Sequence, residues 1–134
     1  MTVAEQHEDR IRFTLPKNER LSSKKIIEEL FKKGSSCFLY PFKIVYLDKE
    51  DVSEKQPFPQ VLFTISRKNF RKATDRNKIR RKVKEAYRLN KPFIFGKDKN
   101  KVPDYLAIIY VAKEVLPFKE VERKLILILQ RLKN

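Results

Sequence analysis

Between Arg67 and Lys91 this chain sets twelve lysines and arginines against Asp75 and Glu85 alone, and it threads Ile79, Val83 and Ala86 through the same run. Apolar residues spaced by four and three return to one side of a helix at each turn. The segment is therefore predicted as a helix, capped by Thr74 or Asp75 and running to about Asn90. Measured from Arg76 at about 100° per residue, Arg80, Lys84, Arg88 and Arg81 fan over roughly 40° to 140°, while the apolar stripe lies between about 280° and 340°. One side of this helix must be buried and the other must face water.

The rest of the chain supplies what the stripe can pack against. In LSSKKIIEELFKKG (Leu21 to Gly34), Ser22 can cap a helix whose Ile26, Ile27, Leu30 and Phe31 share a side, with Gly34 as a left-handed stop. Phe42 to Leu47 and Val61 to Ser66 are rich in β-branched and aromatic residues and read as strands, joined by the polar stretch DKEDVSEKQPFPQ. SCFLY before Pro41 can add a short edge strand. Tyr105 to Val111 is nearly unbroken in its apolar character, as in a strand buried on both faces, and is expected at the centre of a sheet. Pro117 opens a last helix with Phe118, Val121, Leu125, Ile128 and Leu132 along one side. The order of elements predicts an α+β fold, a two-layer sandwich of helices on a sheet. Residues 1–12 are expected to form a flexible leader, and residues 13–134 a single domain.

Charge narrows the function. The whole chain of 134 residues carries a net charge of +15, and ten of those charges come from the 67–91 window. Like charges at i, i+4 cost about 0.2–0.5 kcal/mol per pair, so a face this uniform in sign is built for a polyanion. No helix-turn-helix, zinc-finger or zipper pattern is visible. Phe13, Phe31, Phe38, Tyr40 and Phe42 could stack on unpaired bases beside the cations, or they could fill the core.

Other classes of function fall away. One cysteine, Cys37, and one histidine, His7, cannot make a disulfide, a zinc site or a thiol–imidazole pair. Glu28 and Glu29 diverge on their helix, and Asp48, Glu50 and Asp51 sit in a loop, so no acid–base couple or metal cage stands out. The polar, acidic start MTVAEQHEDR is unlike a signal peptide. The apolar run Leu125 to Leu129 is far too short to span a bilayer. A soluble, cytoplasmic protein without a membrane partner is expected.

Four segments in order resemble the protein subunit of bacterial ribonuclease P: Arg20 to Gly34; FTISRK, Phe63 to Lys68; the basic motif beginning Arg76-Asn77-Lys78 and running to Tyr87; and DYLAIIYVAK, Asp104 to Lys113. The resemblance covers residues 13 to 132. It implies a four-stranded sheet packed by helices, with a left-handed βαβ crossover, similar to a ribosomal-protein domain. It implies a ribonucleoprotein that removes the 5′ leader from precursor tRNA, in which the RNA subunit and the substrate hold the catalytic Mg²⁺ and the protein binds no cofactor.

Carried onto this sequence, the resemblance assigns Arg76, Asn77, Lys78, Arg80, Arg81, Lys84 and Arg88 to the catalytic RNA. It assigns Phe13, Ile27, Phe31, Phe42, Val45, Arg67 and Lys68 to a cleft for the single-stranded leader. Asn77 can equally hold the loop entering the helix through its side chain. Three positions depart from the family pattern. Ile27 stands where many members carry Phe, Lys78 replaces the second Arg of the motif and so lacks its bidentate fork, and NFRKATD lacks the usual Gly. A structural RNA binder, ribosomal or assembly-related, has the same composition. The ordered motifs favour the ribonuclease P subunit.

Overall fold

The computed structural model describes residues 15–48, 58–95 and 102–132. The expected leader 1–12, and Phe13 with it, lies outside the described residues. After a single 3₁₀ turn at Lys17–Glu19 come α1 (Lys24–Lys33), β1 (Ser35–Leu39), β2 (Phe42–Leu47), β3 (Gln60–Ile65), α2 (Ala73–Phe95), β4 (Tyr105–Tyr110) and α3 (Phe118–Arg131). The strands form one sheet in the order β1-β2-β4-β3. β1–β2 and β2–β4 pair antiparallel, whereas β3 and β4 run parallel and are joined through α2. β4 is central, as its apolar run predicts, and Leu106, Ala107 and Ile108 are all buried.

Strand periodicity sorts the side chains to two sides. Phe42 and Ile44 of β2, Val61, Phe63 and Ile65 of β3, and Leu106, Ile108 and Tyr110 of β4 pack with Ile79, Val83, Ala86 and Tyr87 of α2 and with Val121, Leu125, Ile128 and Leu129 of α3. On the opposite side Val45 and Ala107 meet Leu30 of α1 and Leu21. The sheet packed by helices is the expected α+β architecture, with α1 adding a partial third layer. Among the described residues the first side is sealed by two helices, and the second is covered by one short helix.

Local expectations need three corrections. Ser23, one residue later than expected, caps α1: its Oγ accepts from Ile26 N at 3.4 Å. Gly34 is extended at φ −69° and not left-handed. Its role is close packing, because a Cβ there would come within 2.8 Å of Val45 Cγ1 and 2.9 Å of Tyr46 O, and closer still to Leu30 O. Helix α2 begins at Ala73, so Thr74 and Asp75 lie inside its first turn and neither caps it, and it does not end near Asn90 but continues through Pro92 to Phe95. Proline forfeits one backbone hydrogen bond, yet Ile94 and Phe95 extend the buried stripe by another turn.

Candidate RNA interface

The stripe on α2 seats as predicted, with Ile79, Val83 and Ala86 at most 1% exposed. That fixes the azimuth of every cation on the helix, and the cations then divide by what they touch. Arg76 Nη1 donates to the carbonyls of Phe70 (2.7 Å) and Arg71 (2.8 Å), so this guanidinium ties down the loop entering the helix. Asn77 was the candidate for that task; instead its Oδ1 accepts from Arg80 Nη1 at 2.9 Å and holds the arginine on the outer face. Lys82 Nζ donates to Leu116 O at 3.1 Å, linking α2 to the entry of α3. Lys91 is fully buried, in an ion pair with Glu19 and 4.6 Å from the Phe58 ring. Arg88 pairs with Glu85 one turn away.

What remains outward is a band of Lys78, Arg80, Arg81 and Lys84, with Arg88 at its end. Lys84 lies in a crowd of its own sign. Partial burial, and then the charges of Arg20 and Arg80, lower its pKa below that of an ordinary lysine. Arg20 comes from the segment before α1, where Leu21 N donates to Val61 O at 2.9 Å and so runs the chain beside β3. An open groove of about 540 Å³ lies there, lined by Leu15, Arg20, Arg81, Lys84, Glu85 and Arg88. The sequence reading missed Arg20 as a site residue, because its place beside Lys84 depends on a non-local bridge to β3 that no periodicity announces.

The leader candidates separate equally clearly. Ile27 packs half-buried against the small cluster containing Val45, so those two are brought together beneath α1. Val45 is only 5% exposed and serves as floor. Phe31 is 47% exposed on the same helix. Phe42 is a correction: it points to the other side of β2, is fully buried, and packs edge-on against Tyr110 at 5.8 Å, so it offers nothing to a ligand. Positions 42 and 45 differ by an odd number on one strand and cannot share a face. Arg67 and Lys68 are exposed on the turn just beyond β3.

Register supplies what the sequence reading left out. Phe38 lies opposite Lys43, Lys43 opposite Ile109, and Ile109 opposite Thr64. Directly paired residues share a face, so these four make a row across all four strands on the α1 side. Phe38 is 58% exposed, Lys43 is exposed, and Ile109 and Thr64 are half-buried. The row is a shallow strip with apolar and cationic character. Phe31 is an exposed ring on α1, and Arg67 and Lys68 follow Thr64 by three and four residues. Such a strip can receive bases by stacking and backbone by charge. Among the described residues no three His, Cys, Asp or Glu groups come together in a way that could hold a metal ion, and no helix is long and apolar enough to cross a membrane.

The family model described as Ribonuclease P matches residues 15–133. A ribonuclease P protein component from Porphyromonas gingivalis is 32% identical over 112 residues, which is 83% of this chain and 80% of the relative. One from Chlorobium phaeobacteroides is 39% identical over 83 residues, covering 61% and 57% of the two chains. The solved RNase P protein from Thermotoga maritima superposes with a TM-score of 0.64 at 26% identity, covering 84% of this chain and 96% of that one. The Staphylococcus aureus protein shares the fold, with a TM-score of 0.65 at 18% identity over 87% and 98% of the chains. The matched span takes in the sheet, the basic helix and the open face together, and on that ground the chain belongs to the ribonuclease P protein family.

Proposed function

We propose that this chain is the protein subunit of a ribonuclease P particle that removes the 5′ leader from precursor tRNA. The outer face of α2, with Lys78, Arg80 positioned by Asn77, Arg81, Lys84 and Arg88, holds the catalytic RNA through its phosphates. Arg76 supports that face from behind by fixing the preceding loop. The open strip beside α1 receives the single-stranded leader, with Phe31 and Phe38 as stacking surfaces, Ile27 and Val45 as its apolar base, and Arg67 and Lys68 as phosphate partners. The reaction belongs to the cytoplasm, where tRNA precursors are made.

The division of labour follows from charge. A cationic face whose groove carboxylate, Glu85, is already paired with Arg88 repels Mg²⁺, which favours placing the catalytic ions with the RNA subunit and the substrate. The protein neutralises phosphate repulsion and positions the leader. The observation that carries this reading is the strongly cationic outer face of α2, fixed by a fully buried apolar stripe, in a chain of this family.

The test is reconstitution. Purified protein is mixed with the ribonuclease P RNA of its source organism at low Mg²⁺, and cleavage of 5′-labelled precursor tRNA is followed. A marked gain over RNA alone, with a single cut at the mature 5′ end, is expected. No gain despite tight RNA binding would turn the assignment toward a structural RNA-binding role.

A further inference from the structure

The short run Glu19-Arg20-Leu21 alternates in burial. Glu19 turns inward to Lys91 and Leu21 is buried, while Arg20 between them is exposed. The run is held along β3 by Leu21 N donating to Val61 O at 2.9 Å and by Gln60 Nε2 donating to Asn18 O at 3.3 Å. Arg20 Nε donates to Leu15 O at 3.2 Å. Backbone and side chain are thus both anchored, and the guanidinium is held at one wall of the groove with Arg81, Lys84 and Arg88 of α2 on the other. The one carboxylate in the lining, Glu85, is already paired with Arg88.

Resting on the RNA-binding reading above, we propose that Arg20 and Lys84, with Arg81 beside them, form a seat for a phosphodiester of bound RNA. The RNA surface is then built by two segments far apart in sequence and not by the basic helix alone. A fixed planar fork suits two phosphate oxygens, and an ammonium opposite it suits the same charge from the other side. Crowding three cations is unfavourable in the free protein and is relieved when an anion enters, which is the arrangement expected of a binding seat rather than of a solvated surface. Leu15 gives the groove an apolar wall against which a ribose can rest. The phosphate can come from the catalytic RNA or from the precursor tRNA, and the two sources are separable.

The experiment uses the full-length protein and the variants Arg20→Gln, Arg20→Lys, Lys84→Gln, the Arg20→Gln/Lys84→Gln pair, and Lys17→Gln. Lys17 is an exposed cation of the same segment outside the groove lining. Affinity for the ribonuclease P RNA, and separately of the assembled holoenzyme for precursor tRNA, is measured across salt concentrations. Arg20→Gln is expected to weaken one of the two about tenfold and to reduce the log-affinity against log-salt slope by about 0.7–0.9. The affected arm identifies the source of the phosphate. Arg20→Lys retains the slope, and the double variant loses less than the product of its parts.

Arg20→Gln behaving like Lys17→Gln in both arms would overturn the proposal. Should Arg20→Gln fail to fold, Lys84→Gln decides, and a wild-type salt slope in that variant sinks the seat. Failure of the wild-type protein to bind either RNA would instead remove the RNA-binding reading itself.

Discussion

The two sides of the sheet do different work with similar materials. Where α2 and α3 pack, the strands bury Phe42, Ile44, Phe63, Ile65, Ile108 and Tyr110 in one continuous core, and the outward cations of α2 stand on the far side of the helix while Lys91 is buried. Where α1 packs, the buried set is small, Leu21, Leu30, Val45 and Ala107, and the strip Phe38–Lys43–Ile109–Thr64 keeps apolar surface and charge side by side. Among the described residues, two helices seal one face, and one helix of ten residues leaves the other open. The difference separates a surface that attracts backbone by charge alone from one that can also hold unpaired bases. On the function proposed above, RNA of two kinds would then be bound without competition.

The sharpest way to break this comparison is at Phe42, which the family pattern places in the cleft and the strand register places in the core. Phe42→Ala should cost about 3–5 kcal/mol of stability, as for other buried aromatic truncations, measured by urea unfolding. At temperatures where the variant is folded, its preference for precursor over mature tRNA should equal that of the wild type. A lost preference with unchanged stability would return Phe42 to the cleft.

Next in size is the outer face of α2. Arg80→Ala/Arg81→Ala should lose about 1.5–3 kcal/mol of affinity for the catalytic RNA, with a salt slope shallower by about one to two units. The precursor-to-mature ratio should not move, because the open strip is untouched. An unchanged slope would take the helix out of the interface. The reverse pattern is expected at the open strip. Phe31→Ala should reduce precursor binding by about 1–3 kcal/mol per lost stacking contact, leave mature tRNA unaffected, and hardly change the melting temperature, since the ring is 47% exposed. Equal loss for both substrates would make Phe31 a packing residue.

How much of this was legible in the sequence follows from how local each signal is. The α2 stripe, the central place of β4 and the concentration of charge are properties of contiguous residues, and each is found where the pattern put it. Which cations are spent on the fold was not legible. Arg76, Lys82 and Lys91 look like their neighbours in the run, yet the carbonyls of Phe70 and Arg71, Leu116 O and Glu19 claim them, and these partners are set by the path of the loop before the helix and by tertiary contacts. Arg20 and the Phe38 row were hidden for the same reason, since both depend on pairing between distant strands. Phe42 could have been excluded from the cleft by counting parity along β2 against Val45. The end of α2 was misplaced because a proline rule was weighed without the burial of Ile94 and Phe95 that overrides it.

The smallest expected effect lies on the sealed side, at Tyr87. This residue is fully buried between the Phe63 ring (5.5 Å) and the Phe95 ring (6.5 Å), and among the described residues its Oη has no hydrogen-bond partner. Burial, helped by the nearby Glu19 carboxylate, raises its pKa well above that of an ordinary tyrosine. Tyr87→Phe keeps the ring contacts and removes only the desolvated hydroxyl, so at neutral pH it should be neutral or stabilising by about 1 kcal/mol or less. The alkaline behaviour gives the sign. An unfolded tyrosine ionises near pH 10 while the native one holds its proton, so wild-type stability is lost as pH rises from about 10 toward the raised value. The variant should show a shallower loss over that range in urea unfolding. Some loss should persist, because burial raises Tyr110 as well. A destabilised Tyr87→Phe with an unaltered alkaline slope would mean that the hydroxyl is held by a partner on the sealed side.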